Sequence, residues 1–117
     1  MRKIYRYEKL SYAGEENEAV VLKIKSISVG NTSHTTINMP NDIYKEIENS
    51  GQKKIGVLEE LLSERTLLVS DIANPVPEVD TIIIEYYINS TLLVRHENLK
   101  SETDQPYIFI KIKFTKK

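Results

Sequence analysis

The sequence has no cysteine and no tryptophan, and only two phenylalanines, four glycines and four prolines in 117 residues. Without thiols, a disulfide framework, a thiolate zinc site, an iron–sulfur cluster and a cysteine nucleophile are all excluded. The glycines, Gly14, Gly30, Gly51 and Gly56, are too scattered to form a phosphate-cradling loop. No stretch approaches the roughly eighteen consecutive apolar residues of a membrane helix. The opening MRKIYRYEKLSYAGEE carries early positive charge but no apolar run of signal-peptide length. The expectation is a cytoplasmic, soluble protein with no membrane partner, unless a leader was removed upstream.

Neither sign of charge is in excess. Sixteen bases face seventeen acids, a net −1, where a nucleic-acid binder usually shows a basic surplus. Twelve of the bases are lysine, the poorer residue for bidentate reading of phosphates or guanines. No nucleic-acid partner is therefore expected. The charge is zoned, with +2 over residues 1–30, −5 over 41–80 and +2 over 81–117.

What the chain does have is isoleucine, fifteen in all. Side chains branched at Cβ fit a pleated surface better than a helical turn. The length suits one domain, 1–117, with one core. Residues 3–12 read as a strand with Tyr5 and Tyr7 on one face and Ile4 and Leu10 on the other. Residues 19–29 read as a second strand. There, Val20, Leu22 and Ile24 change parity to Ile27 and Val29, so a bulge near Lys25–Ser26 would restore one inward face. A polar strand ends at Pro40. NDIYKEIENSG has helix punctuation, with Asn41 or Asp42 as N-cap and Gly51 as the stop. Residues 55–64 read as a second short helix, with a strand as the alternative. Strands follow at 66–73, 81–97 as a hairpin, and 107–114. In the last strand Ile108, Ile110, Ile112 and Phe114 oppose Lys111 and Lys113, lysines of the kind that protect an outer strand. The fold class expected is mainly β: an antiparallel β-sandwich, immunoglobulin-like or a similar Greek key, of about seven strands. One or two short helices would be inserted around residues 41–64. A partly closed barrel gives the same alternation.

The hairpin TIIIEYYINSTLLVRHE admits two registers. A two-residue loop at Asn89–Ser90 pairs Ile88 with Thr91 and Tyr86 with Leu93, mixing polar and apolar side chains on both faces. An odd loop pairs Tyr86 with Val94 and Glu85 with Arg95, which separates the faces and adds a cross-strand ion pair. The odd register is the one expected. It leaves Ile83, Tyr87 and Leu93 together on the outer face, the candidate protein-interaction residues.

The residue types able to carry chemistry form no motif. His34 and His96 lack any local metal spacing, and Asp71, Glu78 and Asp80 around the proline loop lack the ligand alternation of a calcium loop. Tyr5 and Tyr7 with Lys3 and Lys9 make a weak basic aromatic stripe, read as an edge strand with hydroxyls in water. No catalytic, metal or cofactor residue is assigned and no cofactor is expected. The functional expectation is a non-enzymatic protein-interaction or structural module, extending to a self-assembling, homo-oligomeric component of a larger bacterial-type assembly. A small-ligand-binding sandwich or barrel is the alternative, and an enzyme ranks third.

Overall fold

The computed structural model describes residues 2–117 and shows two sheets packed face to face. Nine strands form them: β1 (Arg2–Gly14), β2 (Ala19–Ser26), β3 (Thr32–Met39), β4 (Ile43–Glu48), β5 (Gly51–Val57), β6 (Thr66–Ala73), β7 (Thr81–Ile88), β8 (Thr91–Leu99) and β9 (Gln105–Lys116). One sheet has the order β1-β9-β6-β3-β4 and the other β5-β2-β7-β8. All pairings are antiparallel except β1 with β9. The neighbours β2–β5 and β3–β6 match the B–E and C–F pairs of an immunoglobulin domain counted in chain order. The β7–β8 hairpin lies on the side of β2 that strand A takes in that fold.

The expected helix at 41–50 is instead β4. Its apolar signal, Ile43 and Ile47, is spaced by four, and residues four apart share a face in a strand as well as in a helix. Asn41 and Asp42 both adopt positive φ, 67° and 58°, which cannot start a helix. They turn the chain back so that Met39 pairs with Ile43. The second expected helix shrinks to one 3-10 turn, Leu58–Leu61, after β5 has run through Val57. Pro40–Asn41–Asp42 is a tight turn without helical geometry.

Between the sheets lie Val20, Leu22 and Ile24 of β2, Ile82, Ile84, Tyr86 and Ile88 of β7, and Ile108, Ile110, Ile112 and Phe114 of β9. The alternation read in β9 is thus correct, but β9 is an interior strand between β1 and β6. Its lysines stand on a sheet face and do not guard an edge.

Local bulges adjust which side chains face inward. In β1, Tyr7 pairs with Ile110 and Leu10 with Ile112, so one extra residue lies at Glu8–Lys9. Tyr7 and Leu10 consequently both pack on the core, although their positions differ in parity. In β8 the odd register holds through Glu85–Arg95 and Tyr86–Val94, then Leu93 is left over and Tyr87 pairs with Leu92. Both candidate registers therefore exist in one hairpin, joined by a bulge at Leu93. The two-residue turn has positive φ at Asn89 (46°) and Ser90 (70°), as a type I′ turn requires. At the end of β2, Ile27 N–H and Ser28 N–H both donate to Ile83 O, 3.0 and 3.3 Å, which is bulge geometry. It does not restore the inward face: Ile27 is 37% and Val29 76% exposed.

Two polar chains cross between the sheets. Tyr86 Oη donates to Ser70 Oγ at 2.6 Å, and Ser70 shares a 2.7 Å hydrogen bond with Thr35 Oγ1. Burial pushes the Tyr86 phenol far above its ordinary range, so it remains a donor. At the β1/β8 side, Tyr7 Oη donates to His96 Nδ1 at 2.8 Å, and His96 Nε2 donates to Asn98 Oδ1 at 2.8 Å. The Asn98 amide donates to the carbonyls of Leu99 and Thr103, which fixes its oxygen toward His96. That orientation sets the neutral tautomer with the proton on Nε2.

Ser90 has a side chain where glycine is the natural occupant of a type I′ turn. Ser90→Gly is expected to raise unfolding free energy by up to about 1 kcal/mol in urea titration. A loss of stability would contradict this turn assignment. Tyr7→Phe leaves His96 Nδ1 buried without a donor and is expected to cost about 1–3 kcal/mol in the same titration.

Candidate interaction surface

The outer face of the four-stranded sheet holds Ile83 and Tyr87, both half-buried. Leu93 does not join them. As the extra residue of the bulge it packs with Val94 against the core, and Leu92, 48% exposed, takes the place opposite Tyr87. Charge surrounds the two that remain. Lys25, Glu85 and Arg95 line up across β2, β7 and β8, with Arg95 Nη1 2.9 Å from Glu85 Oε2. Tyr87 Oη donates to Glu85 Oε1 at 2.6 Å, and Lys23 Nζ lies 5.9 Å from the Tyr87 ring centre. The Tyr87 hydroxyl and then Arg95 hold the Glu85 carboxyl below its ordinary range. This face is a hydrogen-bonded and ion-paired polar lattice with Ile83, Tyr87 and Leu92 set into it.

The opposite face of the molecule is different. On β9 the inward set Ile108, Ile110, Ile112 leaves Tyr107, Phe109, Lys111 and Lys113 facing out. On β6 the inward set Leu68, Ser70, Ile72 leaves Leu67, Val69 and Asp71 facing out. Pairing aligns these into rows across the five-stranded sheet. One row runs Ile4, Tyr107, Asp71, His34, Glu48, and the next runs Arg6, Phe109, Val69, Thr36, Glu46. A third runs Lys111, Leu67, Asn38, Tyr44. Ile4 (55% exposed) and Tyr44 (63%) lie near the two margins. The guanidinium of Arg2 sits 5.1 Å from the Tyr107 ring centre and that of Arg6 5.2 Å from Phe109. The centre of the face is therefore apolar and aromatic, its β1 side basic, and its β4 side acidic. The sequence carried this signal in the second parity of YIFIKIKF and TLLVSDIA, where Tyr107, Phe109, Leu67 and Val69 share the outward positions.

β1, which carries Tyr5 and Tyr7, is an edge strand as expected, but the two hydroxyls are engaged by protein groups. Both rings pack edge-on to His96, with centroids 4.6 and 6.0 Å away, and Tyr5 Oη donates to Glu102 at 3.3 Å. Lys3 donates to the same carboxylate at 3.1 Å. Lys9 lies in the β1 bulge.

The two histidines sit on different sheets and in opposite electrostatic settings. His34, on β3, places Nδ1 against Glu48 and Nε2 3.0 Å from Glu46 Oε1. Carboxylates only accept, so this arrangement favours the imidazolium, which has a proton on each nitrogen. Glu48 first, then Glu46, raises its pKa above the ordinary 6.5, although desolvation opposes them. His96 is buried, and burial lowers its pKa. Asp71 binds Arg2 across Tyr107. Among the described residues no group of three His, Asp or Glu side chains is placed to hold a metal ion, and no helix is long and apolar enough to cross a membrane.

These settings give stability a two-sided pH dependence. The raised pKa of His34 contributes stability that is complete below 6.5 and lost as pH rises through its folded value. The lowered pKa of His96 contributes stability that is present above 6.5 and lost as pH falls through its folded value. Urea midpoints from about pH 5 to 8 are expected to show His34→Gln flattening the alkaline limb and His96→Gln flattening the acid limb. Limbs unchanged in both variants would contradict the assignment.

Comparison with family models, curated proteins and solved structures finds no match to this chain.

Proposed function

We propose that this chain is a non-enzymatic protein-interaction or structural module that docks protein on the outer face of its five-stranded sheet. The observation that carries the reading is the contiguous outward set Ile4, Leu67, Val69, Tyr107 and Phe109 on adjacent strands. A sheet face left to water ordinarily alternates to polar residues. An apolar patch with a charged rim marks a contact surface, and aromatic and arginine side chains are enriched at such contacts. Two carbonyls at the β4/β5 margin are already engaged, since Lys45 Nζ donates to Lys54 O at 2.7 Å and Lys53 Nζ to Glu46 O at 2.9 Å. Strand addition there has fewer acceptors, which favours the face over that edge.

The histidine partners support the non-enzymatic half of the reading, because each ring is held by structural hydrogen bonds and the two lie on different sheets. The alternative, a small-ligand-binding sandwich, has less support. The space between the sheets is filled by fully buried isoleucines and Tyr86. A cytoplasmic setting and membership of a larger assembly belong to this reading.

Photo-crosslinking in cells that express the chain tests it. A benzophenone side chain in place of Val69 is expected to give protein adducts, and one in place of Lys23, on the outer face of the other sheet, is expected to give none. Adducts from position 23 alone, or from neither, would end the reading.

A further inference from the structure

We infer that the partner on this face is a second copy of the same chain, bound as an isologous dimer with its two-fold axis running along β6. The inference rests on the interaction reading above and supplies its partner. β6 is the middle strand of five, and outward charge is divided on either side of it. Arg6 on β1, which has its own Glu8 at 3.4 Å, together with Lys111 and Lys113 on β9 makes one flank basic. Glu46 and Glu48 on β4, with the single His34 of β3 between them, leave the other flank acidic.

A two-fold axis parallel to β6 lays β1 of one copy over β4 of the other and β9 over β3. Arg6 then faces the second copy's Glu46, which engages its own His34 only through Oε1. Both such contacts occur, because an isologous interface makes every contact twice. At the centre Val69 meets Val69 and Leu67 meets Leu67, with Phe109 over Thr36. The other in-plane axis, perpendicular to the strands, would stack β1 on β1 and Arg6 on Arg6. Like charges so placed select against that arrangement. Asp71 also lies on β6 and approaches its own copy, but each is already bound to Arg2.

The size of the face sets the strength. Five strands about 4.8 Å apart, over some seven paired residues of about 3.3 Å, give roughly 600 Å² per copy. That is below the ~800 Å² per partner of a standard interface. A weak dimer that forms with rising concentration is the expected state, with the sheets about 10 Å apart.

Light scattering over a roughly hundredfold concentration range tests the dimer, and paired charge reversals test its orientation. Both residues are at the surface, so the variants are expected to fold. Arg6→Glu alone and Glu46→Arg alone each place like charges at both contacts and should weaken association at least about tenfold. In an equimolar mixture of the two variants, each mixed dimer sets the two introduced side chains, which are of opposite charge, against each other at one contact. It keeps the native pair of Arg6 and Glu46 at the other, and the mixture should regain parental association. A parent chain that stays monomeric, or reversals that leave association unchanged, would overturn the inference. Crosslinks from position 69 to a different protein would overturn it too, while leaving the interaction reading intact. No crosslinks from position 69 would remove both.

Discussion

Two sheets share a dry core only if each strand turns one consistent face inward, and that requirement shapes much of this chain. A strand has a side-chain period of two, so an apolar residue out of phase must either face water or be brought round by an extra residue. β1 and β8 insert that residue, at Glu8–Lys9 and at Leu93. β5 carries a register shift of the same kind beside Ile55, which is buried. Without the β1 bulge, the side that holds Tyr5 and Tyr7 would present Lys9 to the core and turn Leu10 and Tyr12 outward. Leu93 likewise reaches the core because the hairpin changes register beneath it.

Hydrophobic burial brings the sheets together without fixing how they sit, because it has no direction. The polar chains add direction. Tyr86–Ser70–Thr35 joins β7 to β6 and β3 near the centre, and Tyr7–His96–Asn98 joins β1 to β8 at one side. Each hydrogen bond has a narrow geometry and its buried atoms have no water to turn to, so sliding one sheet over the other would break it. The same two chains leave both outer faces free. One of these has become a mesh of ion pairs around Glu85, and the other has kept apolar side chains in its middle.

Much of the fold was legible in alternation alone. The boundaries of β6, the inward face of β9 and the hairpin pairing from Ile83 to Tyr86 all follow from it, while the extension of β8 through Leu99 does not. The sandwich class followed from that pattern. β4 was hidden because Ile43 and Ile47 satisfy the helical and the extended period alike, and Asn41 and Asp42 suit a turn as well as an N-cap. The interaction surface was legible only in part. Ile83 and Tyr87 do face outward, but the charges around them come from β2 and β8, and strand order cannot be read from one strand's pattern. The apolar set on the other face is assembled from β1, β6 and β9, neighbours in the sheet whose residues are as much as about a hundred positions apart in sequence. It became visible only when pairing aligned Ile4 with Tyr107 and Phe109 with Val69.

The parallel pairing of β1 with β9 has a mechanical consequence. These strands run the same way over eleven paired positions, so the start of β1 and the end of β9 lie at opposite ends of a body 46 Å long. Tension applied between those two points runs along the ladder in opposite directions on its two strands. Its hydrogen bonds are then loaded together in shear and cannot be opened one after another like a zipper. A module strung in line with others would resist extension through this one seam, with the Glu8–Lys9 bulge as the place where the shared load is interrupted.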